Sequence, residues 1–423
     1  MLDKLQPDRA AKVTVIGRPG SASAYAIRDF LQRSDVAFEW VELTSDDQAR
    51  EKGQVASLSD SRLPVCVFPD GIRLECPTIR QITEKLGWFR NPSRSEYDLA
   101  IYGAGPAGLS AGVYGASEGL KTVLIERSAV GGQAGTSSKI ENYLGFPEGI
   151  SGADLAQRAR EQACRFGAEI LLLREGVRGE FLPGKGVGYL ADGTKIIARA
   201  TICATGVEYR RLNLPNEDRL SGAGVYYGAG VSEAMLCSNG HVAVVGGGNS
   251  AGQAAMQFAR YARKVTVVIR RDGLKQSLSN YLLDRIQATP RIEVLPHTEV
   301  TALHGDDVLR AVTLTDNQTG QQQTIETKGV FLCLGGVPHT EWAAEAGIVR
   351  DAEGYLVTGS DLQQDGRYPK QWPLERVPYY LETSMPGLFA AGDVRRGSVK
   401  RCASAVGEGA MAVTFVHRYL AHS

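Results

Sequence analysis

The chain has 423 residues, 49 of them glycine, which is enough for two or three α/β domains with many tight turns. Its 47 basic and 47 acidic residues give a formal net charge of zero, so no basic surplus indicates nucleic acid as a partner. No apolar run approaches the ~18 residues of a membrane helix, and no signal-peptide core stands near the start, so we expect a cytoplasmic protein without a membrane partner.

The first predicted unit occupies residues 1–90. Its pattern predicts a strand, a helix and a strand, then a β-hairpin and a last helix, at 12–17, 21–32, 38–43, 64–75 and 78–86. This order resembles a minimal glutaredoxin or thioredoxin-like domain, with Leu63-Pro64 where that fold has a cis-proline. In that fold a cysteine pair opens the first helix, whereas here the turn is Arg18-Pro19-Gly20-Ser21. We therefore expect a structural or regulatory domain without a redox dithiol.

A polar linker is predicted at 90–96, and after it a strand at 97–102 runs into a glycine-rich loop. The loop reads Gly103-Ala104-Gly105-Pro106-Ala107-Gly108 and precedes a helix predicted at 109–118. The next strand, 122–125, leads to Glu126 and Arg127, both expected at the cofactor. The glycines let backbone N–H groups reach a pyrophosphate, and the acid accepts hydrogen bonds from an adenosine ribose. The segment therefore predicts a dinucleotide site.

A second loop of this kind follows a strand at 241–245. It reads Gly246-Gly247-Gly248-Asn249-Ser250-Ala251, with an alanine that the fingerprint tolerates at its third position. The strand after it, 264–269, is followed by Arg270-Arg271 rather than by an acid. Paired guanidinium groups attract the 2′-phosphate of NADP, which a carboxylate would repel. The sequence therefore predicts an NADPH site, and the two loops suggest a duplicated nucleotide-binding fold.

Several further segments, in family order, resemble the low-molecular-weight thioredoxin reductases over residues 97–420. They are Gly131-Gly132-Gln133, Ile140-Glu141-Asn142-Tyr143, Ala204-Thr205-Gly206, Gly392-Asp393 and Arg401-Cys402-Ala403-Ser404-Ala405. The resemblance implies FAD on the first loop, with Gly132, Gln133 and Asn142 near the flavin and ribityl, and with Thr205 and Gly206 among the cofactor contacts. It also implies that Gly392-Asp393 binds a ribityl hydroxyl and that Arg401, Cys402 and Ala403 open a helix against the flavin pyrimidine. A helix N-terminus at that edge would stabilise an anionic reduced flavin.

The expected fold class is α/β, with two Rossmann-like nucleotide-binding domains after the small thioredoxin-like domain. The NADPH domain is inserted in the FAD domain, through proline-bearing linkers at 212–217 and 335–340. The thioredoxin-like domain is predicted at 1–90. The FAD-binding domain is predicted in two segments, 91–213 and 338–423, and the NADPH domain at 214–337. The resemblance also implies a homodimer that pairs through its FAD domains.

The resemblance ends where the family carries its redox-active C-x-x-C, after a Gly-Val pair. Here Gly224-Val225 is followed by Tyr226-Tyr227-Gly228-Ala229-Gly230-Val231-Ser232-Glu233, without a cysteine. Cys237 follows a helix predicted at 232–236 and has no neighbouring cysteine. Transfer of electrons to a disulfide needs one thiol that attacks and one that resolves. The family's electron path therefore cannot operate here in its usual form.

Three interpretations remain open from the sequence. Reduced FAD could pass electrons directly to an acceptor such as a quinone, a ferredoxin-like protein or a small oxidant. The chain could instead reduce disulfides through an unusual thiol, with Cys402 as the weak candidate. Finally, it could be a flavoprotein without turnover that senses redox state or binds a partner through its thioredoxin-like domain. The sequence names neither the acceptor nor a catalytic side chain.

Overall fold

The computed structural model describes residues 13–34, 36–137, 140, 142–182, 184–227, 237–275, 278–306, 308–370 and 372–422. They form two compact units, each built from two stretches of chain. The first unit comprises Met1–Ile82 and Tyr209–Gly335, and the second comprises Thr83–Glu208 and Gly336–Ser423. Within the described ranges, no helix combines the length and apolar character that crossing a membrane requires.

The first unit begins with a small mixed sheet of order β2-β1-β3-β4. Strand β1 pairs parallel with β2 and antiparallel with β3, and β3 pairs antiparallel with β4. The Leu63–Pro64 peptide bond, just before β3, is cis. The elements are β1 (Val13–Gly17), α1 (Ala22–Arg33), β2 (Phe38–Glu42), α2 (Asp46–Glu51), β3 (Val65–Val67), β4 (Arg73–Glu75) and α3 (Ile79–Lys85). Ser21 starts α1, since its hydroxyl accepts a hydrogen bond from the amide of Ala24 at 3.2 Å. The sequence did not predict α2, a six-residue helix that buries only Ala49 and so has no apolar period.

The rest of the first unit contains a parallel sheet of order β12-β19-β13-β14-β15 beside an antiparallel sheet of order β16-β17-β18. Strands β13 and β14 read HVAVV and KVTVV and are buried on both faces, as parallel strands usually are. The elements are α6 (Glu217–Leu220), β12 (Val225–Tyr227), β13 (His241–Val245), α7 (Asn249–Phe258), β14 (Lys264–Val268), α8 (Asn280–Gln287), β15 (Ile292–Leu295), β16 (Thr298–His304), β17 (Ala311–Asp316), β18 (Gln322–Glu326) and β19 (Gly329–Leu332). The helix predicted at 232–236 lies outside the described residues.

The second unit has a sheet of order β7-β6-β5-β10-β9-β8, with β21 beside β10. Its parallel part carries helices α4, α5 and α10, while β8 and β9 form an antiparallel extension. The elements are β5 (Tyr97–Tyr102), α4 (Pro106–Ser117), β6 (Thr122–Glu126), α5 (Gly152–Arg165), β7 (Glu169–Leu172), β8 (Gly176–Leu182), β9 (Lys185–Leu190), β10 (Lys195–Cys203), α9 (Glu341–Glu345), β21 (Leu388–Ala390) and α10 (Cys402–Leu420). Two further short strands, β11 (Glu208–Tyr209) and β20 (Gly336–Val337), pair with each other.

The segment predicted as a linker at 90–96 is fastened along the second unit. The buried guanidinium of Arg174 donates to the Asn91 side chain at 2.8 Å and lies 4.4 Å from the Phe89 ring. Glu169 accepts hydrogen bonds from the amide and the hydroxyl of Ser93, at 2.9 and 2.7 Å. These contacts hold the segment to a defined path, which its polar composition did not predict.

Candidate cofactor sites

The first glycine-rich loop joins β5 to α4 at the edge of the second unit's parallel sheet. Gly103 has a φ of +102°, and a Cβ there would lie 2.3 Å from the carbonyl oxygen of Ala204. At Gly108 a Cβ would lie 1.8 Å from the carbonyl oxygen of Gly103, so both positions need glycine. The helix begins at Pro106, earlier than predicted, because proline fits the first helical position, where no N–H is needed.

Glu126 ends β6 beside this loop and is 7% exposed. One carboxylate oxygen accepts the amide of Ala104 at 2.8 Å, and the other accepts the amide and hydroxyl of Ser128 at 2.8 and 3.2 Å. An ionised carboxylate has about four acceptor positions. The three bonds therefore orient the group and leave capacity for a ribose hydroxyl on the oxygen that faces the loop.

Of the other predicted residues, Gly132 and Thr205 lie against the same loop. A Cβ at Gly132 would lie 3.1 Å from the Cα of Gly105, so the 131–132 turn closely approaches the first loop. Gln133 donates its amide to the carbonyl of Val207. Arg127 pairs with Glu208, and both side chains are about half exposed. Asn142 and Thr205 are exposed, Gly206 is partly exposed with a φ of +65°, and Glu141 lies outside the described residues.

Asp393 lies in the short 3₁₀ turn Gly392–Val394, which also reaches this site. A Cβ at Gly392 would lie 2.9 Å from the Cβ of Ala107 on α4. Burial raises the pKa of the Asp393 carboxyl, and the Lys400 ammonium partly offsets that shift. The turn is therefore packed directly against the helix that begins at the first loop.

A buried ion pair that was not predicted from the sequence supports the Asp393 turn. Glu408, on α10, accepts the amide of Gly392 at 2.7 Å and a guanidinium N–H of Arg395 at 2.5 Å. Both residues are less than 10% exposed. One residue further along α10, a Cβ at Gly409 would lie 2.1 Å from the carbonyl of Ala107. The pair joins a turn to a helix 13 residues further on, a contact that no helix or strand period reveals.

Helix α10 starts at Cys402, with Arg401 as its N-cap residue and Ala403 in its first turn. Arg401 and Ala403 are exposed, and Cys402 is partly buried. Burial, followed by the nearby Asp393 carboxylate, raises the pKa of the Cys402 thiol to about 11. At pH 7 the thiol form of Cys402 is therefore strongly favoured over the thiolate, which makes this residue a poor nucleophile.

The second glycine-rich loop joins β13 to α7 in the first unit. Gly246 has a φ of +137°, and a Cβ there would lie 2.3 Å from the carbonyl oxygen of Cys333. Gly248 is the N-cap residue of α7, and the Asn249 side chain accepts the amide of Ser279 at 2.8 Å. Ser250 is exposed. Ala251, at the third fingerprint position, is fully buried, and this burial explains why a small residue is needed there.

Arg270 and Arg271 follow β14 with exposed side chains. Their backbone is held in place, because the carbonyl of Arg270 accepts from the Asn317 side chain at 3.1 Å and that of Arg271 from the amide of His297 at 3.2 Å. Asp272, which is 88% exposed, has a carboxylate oxygen 3.4 Å from the His297 ring. The site thus presents two arginines on a fixed strand end.

All seven cysteines lie in the described residues, and none is in a disulfide. Burial raises the pKa of the Cys66 and Cys333 thiols to about 12, and raises those of Cys164 and Cys203 as well. Cys237 is 1% exposed within the core around Phe331. Cys66, Cys203 and Cys237 are buried away from an external disulfide, while Cys164 and Cys333 are partly exposed with pKa values raised by burial.

Comparison with known proteins places this arrangement in context. Residues 97–409 match the family model described as pyridine nucleotide-disulphide oxidoreductase. The chain is 36% identical over 326 residues to a thioredoxin reductase of Listeria innocua, covering 77% of this chain and 94% of that protein. It is 35% identical to the Bacillus subtilis thioredoxin reductase, with coverages of 77% and 95%. The Lactococcus lactis thioredoxin reductase structure superposes with a TM-score of 0.68 at 29% identity, over 77% of this chain and all of that one.

Proposed function

This chain belongs to the pyridine nucleotide-disulphide oxidoreductase family, and on that premise we propose that it is an FAD-dependent oxidoreductase of thioredoxin reductase type. NADPH reduces its flavin. The reduced flavin then passes electrons to an acceptor, and no C-x-x-C of this chain takes part in the transfer. The observation that carries the proposal is the first loop, where two glycines that no other residue could replace lie beside the buried Glu126.

The residues of the second unit fit FAD. Backbone N–H groups at the start of α4 would bind the pyrophosphate, and Glu126 would accept a ribose hydroxyl with its remaining lone pair. Asp393 would bind a ribityl hydroxyl, and the N-terminus of α10 would face the flavin pyrimidine. FAD, when bound, supplies an acceptor for the two electrons of a reduced nicotinamide.

The residues of the first unit fit NADPH. The loop from Gly246 to Ala251 would hold the pyrophosphate at the N-terminus of α7. Arg270 and Arg271 would pair with the 2′-phosphate, which NADH lacks. Their backbone is already fixed, so binding of the phosphate has to order only the two side chains.

Two observations support an acceptor other than a protein disulfide. The sequence contains no C-x-x-C, and Tyr226–Glu233 contains no cysteine. Cys402, the thiol expected nearest the flavin, has a pKa raised to about 11. Thiol–disulfide exchange needs a thiolate and a resolving partner, so an electron route through Cys402 is disfavoured. The acceptor classes that fit are a quinone, a ferredoxin-like protein or a small oxidant.

We further propose that the chain has four segments: a thioredoxin-like domain at 1–90, FAD-binding segments at 91–213 and 338–423, and an NADPH-binding domain at 214–337. The mixed strand order β2-β1-β3-β4 and the placement of α1 after β1 support the thioredoxin-like assignment. The turn at Arg18–Ser21 has no cysteine, which supports a role other than dithiol transfer.

An anaerobic acceptor screen tests the proposed function. The purified protein should contain about one FAD per chain, and NADPH should bleach its flavin absorbance. Re-oxidation is then followed with a quinone, a ferredoxin and small oxidants, each added separately. Acid release of FMN, or a protein that takes up no flavin on reconstitution, would contradict the FAD assignment.

A further inference from the structure

The small N-terminal sheet and the nucleotide-binding sheet, both in the first unit, meet in a close contact. At Gly20, in the turn before α1, a Cβ would lie 2.3 Å from a methyl carbon of Val308. At Gly222, just before β12, a Cβ would lie 2.7 Å from the Tyr25 ring on α1. The turn that opens α1 therefore packs directly on the segments around β12.

Aromatic side chains continue this contact into the core of the nucleotide-binding sheet. The ring centroid of Tyr25 lies 5.2 Å from that of Tyr226, which stacks on Phe331 at 5.0 Å. Phe331 lies 4.0 Å from Phe258, and Tyr25 packs against the same core cluster. Helix α1 thus contributes a side chain to the neighbouring core.

The contact leaves little open space. A cavity of about 30 Å³ remains between the two parts, lined by Arg18, Ser21 and Tyr25 on one side and by Gly222 and Tyr226 on the other. That volume holds roughly one or two water molecules. The cavity is therefore a packing gap and not a site for a small ligand.

The contact between α1 and the Gly222–Tyr226 segment lies next to the position at which the resembling reductases exchange thiols with a partner. Tyr226 lies in β12, directly before the stretch in which the resembling reductases carry their C-x-x-C. Thiol–disulfide exchange requires direct contact between sulfur atoms, so a protein partner exchanging there has to reach this end of β12. In this chain, the turn that opens α1 and the Tyr25 ring already pack on the Gly222–Tyr226 segment.

We propose that residues 13–82 are a permanent intramolecular cap on the Gly222–Tyr226 face, which closes that face to a free thioredoxin-type protein. The cap takes the place of a dissociable partner, and it has no cysteine in the turn that makes the contact. The proposal does not depend on which cofactors the chain binds.

Engineered disulfides in the full-length protein test the cap. In Gly20→Cys/Val308→Cys, the Cβ atoms would lie 3.6 Å apart, and in Tyr25→Cys/Gly222→Cys they would lie 3.4 Å apart. Disulfides have Cβ–Cβ separations of about 3.5–4.5 Å, so the first pair lies at the short end of this range and the second just below it. Oxidised glutathione takes up the two electrons and two protons released as each S–S bond forms. The matched control is Gly71→Cys/Val308→Cys, because Gly71 also has a positive φ, +81°, but nothing lies within 4 Å of its Cβ position.

Most of the protein in at least one test pair should cross-link, with the joined peptides identified by mass spectrometry, and the control should not. Hydrogen exchange of the β12 amides should then agree between cross-linked and wild-type protein within about threefold, since the cap is already closed. Equal cross-linking in the control and in both test pairs, or none in any of them, would overturn the placement. Wild-type amides exchanging about a hundredfold faster than cross-linked ones would overturn its permanence.

Discussion

We propose that two arginine side chains at the end of β14, Arg270 and Arg271, set the preference of the site for NADPH over NADH. Each charge-assisted contact to a 2′-phosphate is worth about 1.5–3 kcal/mol. We therefore predict that Arg270→Ala/Arg271→Ala erases the preference for NADPH over NADH, with a loss of at least about a hundredfold. Rates of flavin reduction with each cofactor measure this preference. Arg263→Ala, exposed at the other end of β14, is the matched control and should leave it unchanged; a wild-type preference for NADH would contradict the assignment.

The Cys402 thiol provides a pH-dependent prediction. Its pKa is raised to about 11, so the thiolate fraction grows about tenfold with each pH unit below that value. We expect alkylation of Cys402 by iodoacetamide to be slow at neutral pH and to accelerate by about a hundredfold between pH 7 and 9. Peptide mass spectrometry measures the rate, with the exposed Cys76 as the internal reference. Rapid labelling of Cys402 at pH 7 would revive the thiol-based interpretation.

The buried Glu408–Arg395 ion pair joins helix α10 to the Asp393 turn. Glu408→Gln would leave the Arg395 guanidinium buried without its counter-ion. We predict a loss of about 3 kcal/mol in the free energy of unfolding, measured with denaturant, together with weaker FAD retention. The exposed Glu353→Gln in the same unit is the control. Unchanged stability in Glu408→Gln would show that the pair does not support the turn.

Some of these structural features could be predicted from the sequence and others could not. The glycine-rich loops were predictable because their glycines, strands and helices follow one another within a few residues, and local geometry dictates them. The Glu408–Arg395 pair, the Arg174 contacts to the linker and helix α2 were not predictable. The first two depend on residues that only the folded chain brings together, and the third has too few buried positions to show a period.

At the scale of the whole molecule, we expect a homodimer, because the resembling reductases pair through their FAD domains and this chain has the corresponding residues. Light scattering at micromolar concentration should give twice the chain mass of 45.5 kDa. A mass of 45.5 kDa would contradict this expectation.

We propose that NADPH reduces the flavin of this protein while no dithiol passes electrons on to thioredoxin. An NADPH-coupled assay with thioredoxin measures this, with a C-x-x-C-containing thioredoxin reductase as the positive control. We expect that NADPH bleaches the flavin and that thioredoxin adds no NADPH consumption above background, because Tyr226–Glu233 and Arg18–Ser21 contain no thiol. Thioredoxin reduction within about tenfold of the control would contradict it, and Cys402→Ser and Cys237→Ser would then identify the thiol responsible.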